Sequence, residues 1–275
     1  MSAPLDWRLI DTGPLDGPTN MAVDEALLAC FDPERSAPVL RLYGWAPPAL
    51  SLGRFQDAAA VLDLERCAAA GVPVVRRITG GGVIYHAAEL TYALVCAPHQ
   101  LPPARSVKES FRILTGFLLR FYSGLGLSPC YAVDHAVAGT RFGERTPFCF
   151  AGKESYDILV SGRKLGGNAQ RRLRNAIFQH GSVPLANHAR HGSGFLREPP
   201  EEVGESSVSL GELGIEAPED SLRQGLAEAF ATDLGVVLER DSLSDSEQAQ
   251  AERLRREKYA VTAWNRDGIE ERDRP

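Results

Sequence analysis

The chain has 275 residues, 44% of them hydrophobic and 24% charged, with a formal net charge of −6. Those fractions exclude collagen-like, coiled-coil and wholly disordered chains, and the acidic balance disfavours a general nucleic-acid binder. No run of roughly 18 apolar residues predicts a membrane span, and residues 1–10, with Pro4, Asp6 and Arg8, lack the apolar centre of a signal peptide.

Cys30, Cys67, Cys96, Cys130 and Cys149 include no C-x-x-C pair, which predicts reduced thiols rather than disulfides or a Cys-rich zinc site. Cytoplasmic residence is the resulting expectation.

In chain order, Thr19 is the candidate N-cap of a helix over 21–31. Two β-like runs, 38–45 and 49–56, flank Pro47-Pro48 and predict a hairpin. The Ala-rich run 57–70, stopping at Gly71, predicts one helix. The glycine triplet Gly80 to Gly82 then separates strand-like runs over 72–78 and 83–86. In the next strand, Leu90, Tyr92, Leu94 and Cys96 share one face.

Ser106 and Glu109 form a capping box at the start of the clearest helix. Its stripe of Val107, Phe111, Leu114, Leu118, Phe121 and Leu125 packs a core and carries no chemistry. Residues 157–160 and 163–165 read as strands around a tight Ser161-Gly162 turn, and 176–183 as another strand. The polar run 186–207 reads as a long loop. Boxes at Ser221/Gln224 and Ser244/Glu247 open two last helices, over 221–234 and from 245 to about 259. Strands and helices without regular βαβ alternation predict an α+β fold, expected as one domain over 1–275 with 244–275 as a helix and tail.

Three places could carry chemistry. Gly80, Gly81 and Gly82 lie between strands, so they are neither a P-loop nor a dinucleotide fingerprint, both of which lead into a helix. Glycines let the backbone lie against a ligand; Arg76, Arg77, Thr79, Tyr85 and His86 flank them. A plain hairpin turn is the alternative. Lys164 precedes Gly166, Gly167 and Asn168, small or polar residues that would expose its ammonium to an acyl carbonyl, carboxylate or phosphate; otherwise it is a solvated strand lysine. Cys149, between Phe148 and Phe150, is a small hydrophobe unless Lys164 or a histidine activates it as a nucleophile. The six histidines show no H-x-x-x-H or H-E-x-x-H spacing, so no metal site is expected. A basic strip of Arg163, Lys164, Arg171, Arg172 and Arg174 could receive an acidic ligand.

With these motifs the sequence resembles the biotin/lipoate A/B protein ligase family. The resemblance runs from Asn20 to Leu27, through 76–82 with Tyr85 and His86, and 162–171, to 257–259 and Trp264-Asn265. It implies a mixed β-sheet flanked by helices, like the catalytic domain of biotin protein ligase and class II aminoacyl-tRNA synthetases. It also implies transfer of lipoyl or octanoyl groups to a lysine of a lipoyl-carrier domain, such as glycine cleavage H protein or a 2-oxoacid dehydrogenase E2. Residues Arg76, Arg77, Thr79, Gly80, Gly81, Gly82, Tyr85, His86, Gly166, Gly167 and Asn168 would bind substrate, and Lys164 would contact the activated carboxyl. Cys149 stands where cysteine-type octanoyltransferases carry their nucleophile. These take octanoate from acyl carrier protein and need no cofactor. Gly82 departs toward lipoate ligases, which use ATP and Mg²⁺ and commonly carry an accessory domain for which this length leaves little room. The first expectation is therefore octanoyl transfer through Cys149 and Lys164, the second an ATP-dependent lipoate ligase or its catalytic half, and the third a non-catalytic lipoyl- or adenylate-binding module. No membrane or nucleic-acid partner is expected.

Overall fold

The computed structural model describes residues 5–104, 106–136, 142, 147–149, 154–200 and 203–268. In chain order they form β1 (Asp6–Leu15), α1 (Gly17–Cys30), β2 (Val39–Trp45), β3 (Ala49–Leu52), α2 (Ala58–Val61), α3 (Leu64–Ala69), β4 (Val74–Arg76), β5 (Ile84–His86) and β6 (Glu89–Cys96). Then come α4 (Val107–Gly124), β7 (Pro129–Tyr131), α5 (Ala132–His135), β8 (Ile158–Val160), β9 (Arg163–Lys164), β10 (Gly167–Arg172) and β11 (Ile177–Pro184). The remainder holds α6 (Ala189–Ser193), α7 (Val203–Ser206), α8 (Glu219–Leu234), β12 (Val237–Asp241), α9 (Asp245–Leu254) and α10 (Thr262–Asp267).

A six-stranded mixed sheet in the order β10-β11-β6-β2-β1-β12 carries the fold. β6 shows why it is covered on both faces. Its Leu90, Tyr92, Leu94 and Cys96 point into a core under α4 and α8, while Ala93 and Val95 meet α1 and Tyr259 on the other side. This is the two-residue side-chain period of a strand with both faces buried. The α+β, helix-flanked expectation holds. Two three-stranded sheets, β4-β3-β5 and β7-β8-β9, stand beside the large one. No helix among the described residues is long and apolar enough to cross a membrane.

Several local expectations are corrected. β2 and β3 do not form a hairpin: both edges of β2 are taken by β1 and β6, so the chain leaves at Pro47 and β3 joins a different sheet. The run 57–70 is two short helices, because Leu62 is drawn into the core and bridges Leu196, while Asp57 and Asp63 each cap a new start. Asp16, not Thr19, caps α1, accepting from the Thr19 N–H at 2.8 Å. α8 starts at Glu219 after Pro218, so Ser221 is no cap. The stretch 186–207 contains α6 and α7. β1, absent from the sequence-based expectations, is the strand beside β2 in the large sheet. By contrast, the Ser244/Glu247 box is present in full. So is the tight turn of β8 and β9, with positive φ of 51° at Ser161 and 76° at Gly162.

Candidate active site

The three motifs converge on one cavity of about 910 Å³. Its wall includes Arg77, the triplet Gly80 to Gly82, Cys149, Lys164, Gly167 and Asn168. What joins them is a parallel bridge between Val83, at the end of the glycine loop, and Phe148. The Val83 N–H donates to Pro147 O at 2.8 Å, and the Cys149 N–H donates back to Val83 O at 3.0 Å. Phe148 is fully buried in the cluster under β3 and β5, so it anchors the segment and leaves Cys149 half-buried at the cavity. Phe150 lies outside the described residues.

Lys164 enters from the β8–β9 hairpin. Its Nζ donates to Cys149 O at 2.8 Å, lies 2.7 Å from Asp157 Oδ2 and sits 3.9 Å from Cys149 Sγ. It is buried, not a solvated strand lysine. Burial alone would lower its pKa, but Cys149 and Asp157 together hold it above the ordinary lysine value, so the ammonium keeps its proton at neutral pH. The basic strip therefore loses Lys164; Arg172 and Arg174 are exposed and Arg163 and Arg171 are half-buried.

Glycine is required where the walls close. A Cβ on Gly167 would stand 3.0 Å from Cys149 Sγ and 3.8 Å from Lys164 Cε. Gly166 adopts φ +84°, and a Cβ there would meet Ser182 O at 2.1 Å. Gly166 therefore shapes the wall from behind, outside the cavity lining.

The glycine loop is held by Arg77. One amino group of its guanidinium donates to Gly80 O and Gly82 O, each at 2.8 Å, and the other to Ser51 O and Oγ. Its buried Nε–H meets no acceptor among the described residues. Burial lowers the Arg77 pKa to about 10, opposed by Cys149, which leaves a full cation at neutral pH.

His86 stacks on Trp45 with centroids 3.8 Å apart. Its Nδ1 lies 2.8 Å from Glu89 Oε1 and its Nε2 lies 2.7 Å from Ser51 Oγ. Burial would raise the Glu89 pKa, but His86, Thr91 and Ser182 keep it below the ordinary glutamate value. An ionised Glu89 only accepts, so Nδ1 carries the hydrogen in this contact. Thr79 shares a 2.7 Å hydrogen bond with His180 Nε2, whose other nitrogen is 3.6 Å from Asp24 Oδ2. Burial lowers the His180 pKa, so this imidazole is neutral.

Four predicted binding residues lie outside the cavity lining: Gly166 and Thr79, placed above, and Tyr85 and Arg76. Tyr85 turns away from the cavity and packs against His188, His191 and Phe195. Arg76 is buried behind the loop. Its guanidinium donates to the carbonyls of Gly53, Arg54 and Gln56 on one side and Trp264, Asn265 and Arg266 on the other. Residues unremarked as site components in the sequence, notably Asp157, Glu89, Ser51, His180 and Glu154, complete the site or its support. The Asp157 contact was readable in principle, since a two-residue turn at 161–162 pairs Lys164 with Leu159 and leaves Asp157 two residues before Leu159, a diagonal neighbour across the hairpin. The same holds for His86 and Glu89, three residues apart. Among the described residues no group of three or more His, Cys, Asp or Glu is arranged to hold a metal ion.

Residues 16–231 match the lipoyl protein ligase A/B catalytic domain. The chain belongs to this family. Octanoyltransferase LipM of Kyrpidia tusciae is 37% identical over 269 residues, which cover 94% of this chain and 98% of the relative. The protein of the same name from Bacillus subtilis is 33% identical, over 94% of this chain and 97% of its own. Among solved structures, a lipoate-protein ligase A bound with ATP matches with a TM-score of 0.80 at 22% identity, over 97% of this chain and all of that one. The bi-partite lipoate protein ligase of Thermoplasma acidophilum, solved with its E2 lipoyl domain, gives 0.78 at 21% identity, over 97% of this chain and 98% of that one. These structural likenesses establish the fold shared with lipoate ligases.

Proposed function

We propose that the protein is an octanoyltransferase of lipoate biosynthesis. It takes octanoate from a thioester on acyl carrier protein, carries it on Cys149 and delivers it to a lysine of a lipoyl-carrier domain. The observation that carries the reading is the placement of Cys149 Sγ, 3.9 Å from the buried ammonium of Lys164, in the wall of the cavity. The match to octanoyltransferases over nearly their whole length supports the same reaction class.

An acyl thioester is already activated, so the chemistry needs a nucleophile, a positive group beside the reacting carbonyl and an apolar slot. A thiolate on Cys149 attacks the thioester carbon with Lys164 as its counter-ion, the carbon–sulfur bond to the donor breaks, and the donor sulfur leaves as a thiolate that takes its proton from water. The same ammonium, fixed by Asp157, lies within reach of the negative charge that develops on the carbonyl oxygen. The absence of a side chain at Gly167 leaves the sulfur room to accept the acyl group. Burial of the alkyl chain contributes about 0.8 kcal/mol per CH₂, so chain length is read by cavity depth. Nothing in this sequence of steps calls for ATP or Mg²⁺.

His86 does not serve as the base in this reading, since both of its ring nitrogens are engaged inside the wall. The test is intact-mass measurement after incubation with octanoyl-acyl carrier protein, with Cys149→Ala as control. The expected result is one octanoyl adduct on the wild type and none on the variant. An unmodified wild type that lipoylates a carrier domain only with ATP would overturn the reading in favour of a ligase.

A further inference from the structure

The second half-reaction needs a group that the first does not. The acceptor lysine arrives as an ammonium, with an ordinary pKa near 10.4, and must lose a proton before its nitrogen can attack. Five of the titratable or charged side chains on the cavity wall are unsuited to accept it. Arg77 and Lys164 are cations. Asp157 is ion-paired to Lys164 and also accepts from the Glu154 N–H at 2.7 Å. His86 has both nitrogens bonded, and His180 turns its own to Thr79 and Asp24.

Glu154 is different. It lines the same cavity, is exposed to the incoming chain, and its carboxylate makes no side-chain hydrogen bond or ion pair among the described residues. We propose that Glu154 is the proton acceptor that frees the acceptor amine for attack on the acyl group held by Cys149. The inference rests on the acyl-transfer reading above.

The step balances as follows. One ammonium proton passes to the Glu154 carboxylate and onward to water. The amine nitrogen forms a bond to the acyl carbon, the carbon–sulfur bond breaks and its electron pair leaves on Cys149 sulfur. That sulfur takes the surplus proton of the new amide nitrogen. Burial and the neighbouring Asp157 carboxylate raise the Glu154 pKa above the ordinary glutamate value, opposed by Lys164, which makes it a better proton acceptor than a solvated carboxylate. The other charged or titratable groups facing the cavity are Arg77, His86, Lys108, Cys149, Tyr156 and His180.

The experiment separates the two half-reactions in wild type, Glu154→Gln and Glu154→Asp. Each is loaded from octanoyl-acyl carrier protein, the adduct is measured by intact mass, and the acyl group is then discharged to an unmodified lipoyl-carrier domain or to hydroxylamine. Hydroxylamine is uncharged at neutral pH and needs no base. We expect Glu154→Gln to load and to discharge to hydroxylamine like wild type, while transfer to the domain falls about 10²–10⁴-fold. Its transfer rate should follow the free amine alone, falling about tenfold per pH unit below the lysine pKa, where wild type holds a plateau down to the Glu154 pKa, and Glu154→Asp should recover part of the rate. Wild-type transfer by Glu154→Gln would overturn the proposal. So would an equal loss of loading, hydroxylamine discharge and transfer, which marks a structural role. If wild type itself never loads, the acyl-transfer reading has failed and this inference falls with it, a distinguishable result.

Discussion

Lys164 Nζ lies 2.7 Å from Asp157 Oδ2 across a two-residue hairpin turn, and both groups are buried. A lone buried ammonium is unstable, whereas this one is compensated on one side by Asp157 and faces sulfur on the other. Asp157→Asn should therefore lose stability, by roughly 3–5 kcal/mol, because it leaves the Lys164 charge uncompensated. Lys164→Met strands the buried Asp157 carboxylate and should lose stability for the same reason, and its folded fraction should form the octanoyl adduct about 10²-fold more slowly or worse. Chemical melts and stopped mass measurements check both; a Lys164→Met variant that loads normally would remove Lys164 from the chemistry.

The two glycines before β10 should separate by phenotype. Gly167→Ala pushes a methyl group against Cys149 Sγ, the movable end of a side chain, so acylation should slow about tenfold with stability within about 1 kcal/mol of wild type. Gly166→Ala pushes against the Ser182 backbone at a positive φ, and should cost of order 1–3 kcal/mol or more of stability. Equal melting temperatures for the two variants would contradict this division.

Arg76→Ala should act on stability before it acts on acyl binding. The guanidinium ties the 53–56 turn to the 264–266 segment through six carbonyls, and charge-assisted hydrogen bonds of this kind contribute about 1.5–3 kcal/mol each. We expect a loss of roughly 3 kcal/mol or more, visible in thermal melts, and no recovery by lysine, which lacks the planar fork. A variant that melts normally but fails to bind the acyl chain would instead put Arg76 at the substrate.

The pH dependence of stability follows from two buried groups. Glu89 has its folded pKa below the ordinary 4.5, so its contribution is complete above that value and disappears as pH falls through the lower, folded one. Lys164 has its folded pKa above 10.5, so its contribution is complete below that value and disappears as pH rises through the higher one. Glu89→Gln should lower the melting temperature at pH 7, with the gap to wild type shrinking only below about pH 4.5. A gap that stays constant into acid would show that Glu89 is not held ionised.

Much of the site was legible in the chain because its elements are encoded within short windows. The glycine triplet, the Lys164 turn and the alternation in β6 each depend on neighbours a few residues away, and the structure places them as read. The pairing of β2 and β3 was not legible, because it depends on which strand edges remain free after β1 and β6 have docked. The roles of Arg76 and Arg77 were equally closed to the sequence. Adjacent residues on a strand point to opposite sides, so one guanidinium anchors the 264–266 segment while the other threads the glycine loop. By itself the sequence determined the family motifs, the reactive thiol and lysine as candidates, and the helix-flanked α+β class. Only tertiary structure decided that Cys149, 66 residues beyond Val83 in the chain, is hydrogen-bonded to it. That contact rests on burying Phe148 in a core assembled from distant segments, which no local pattern encodes.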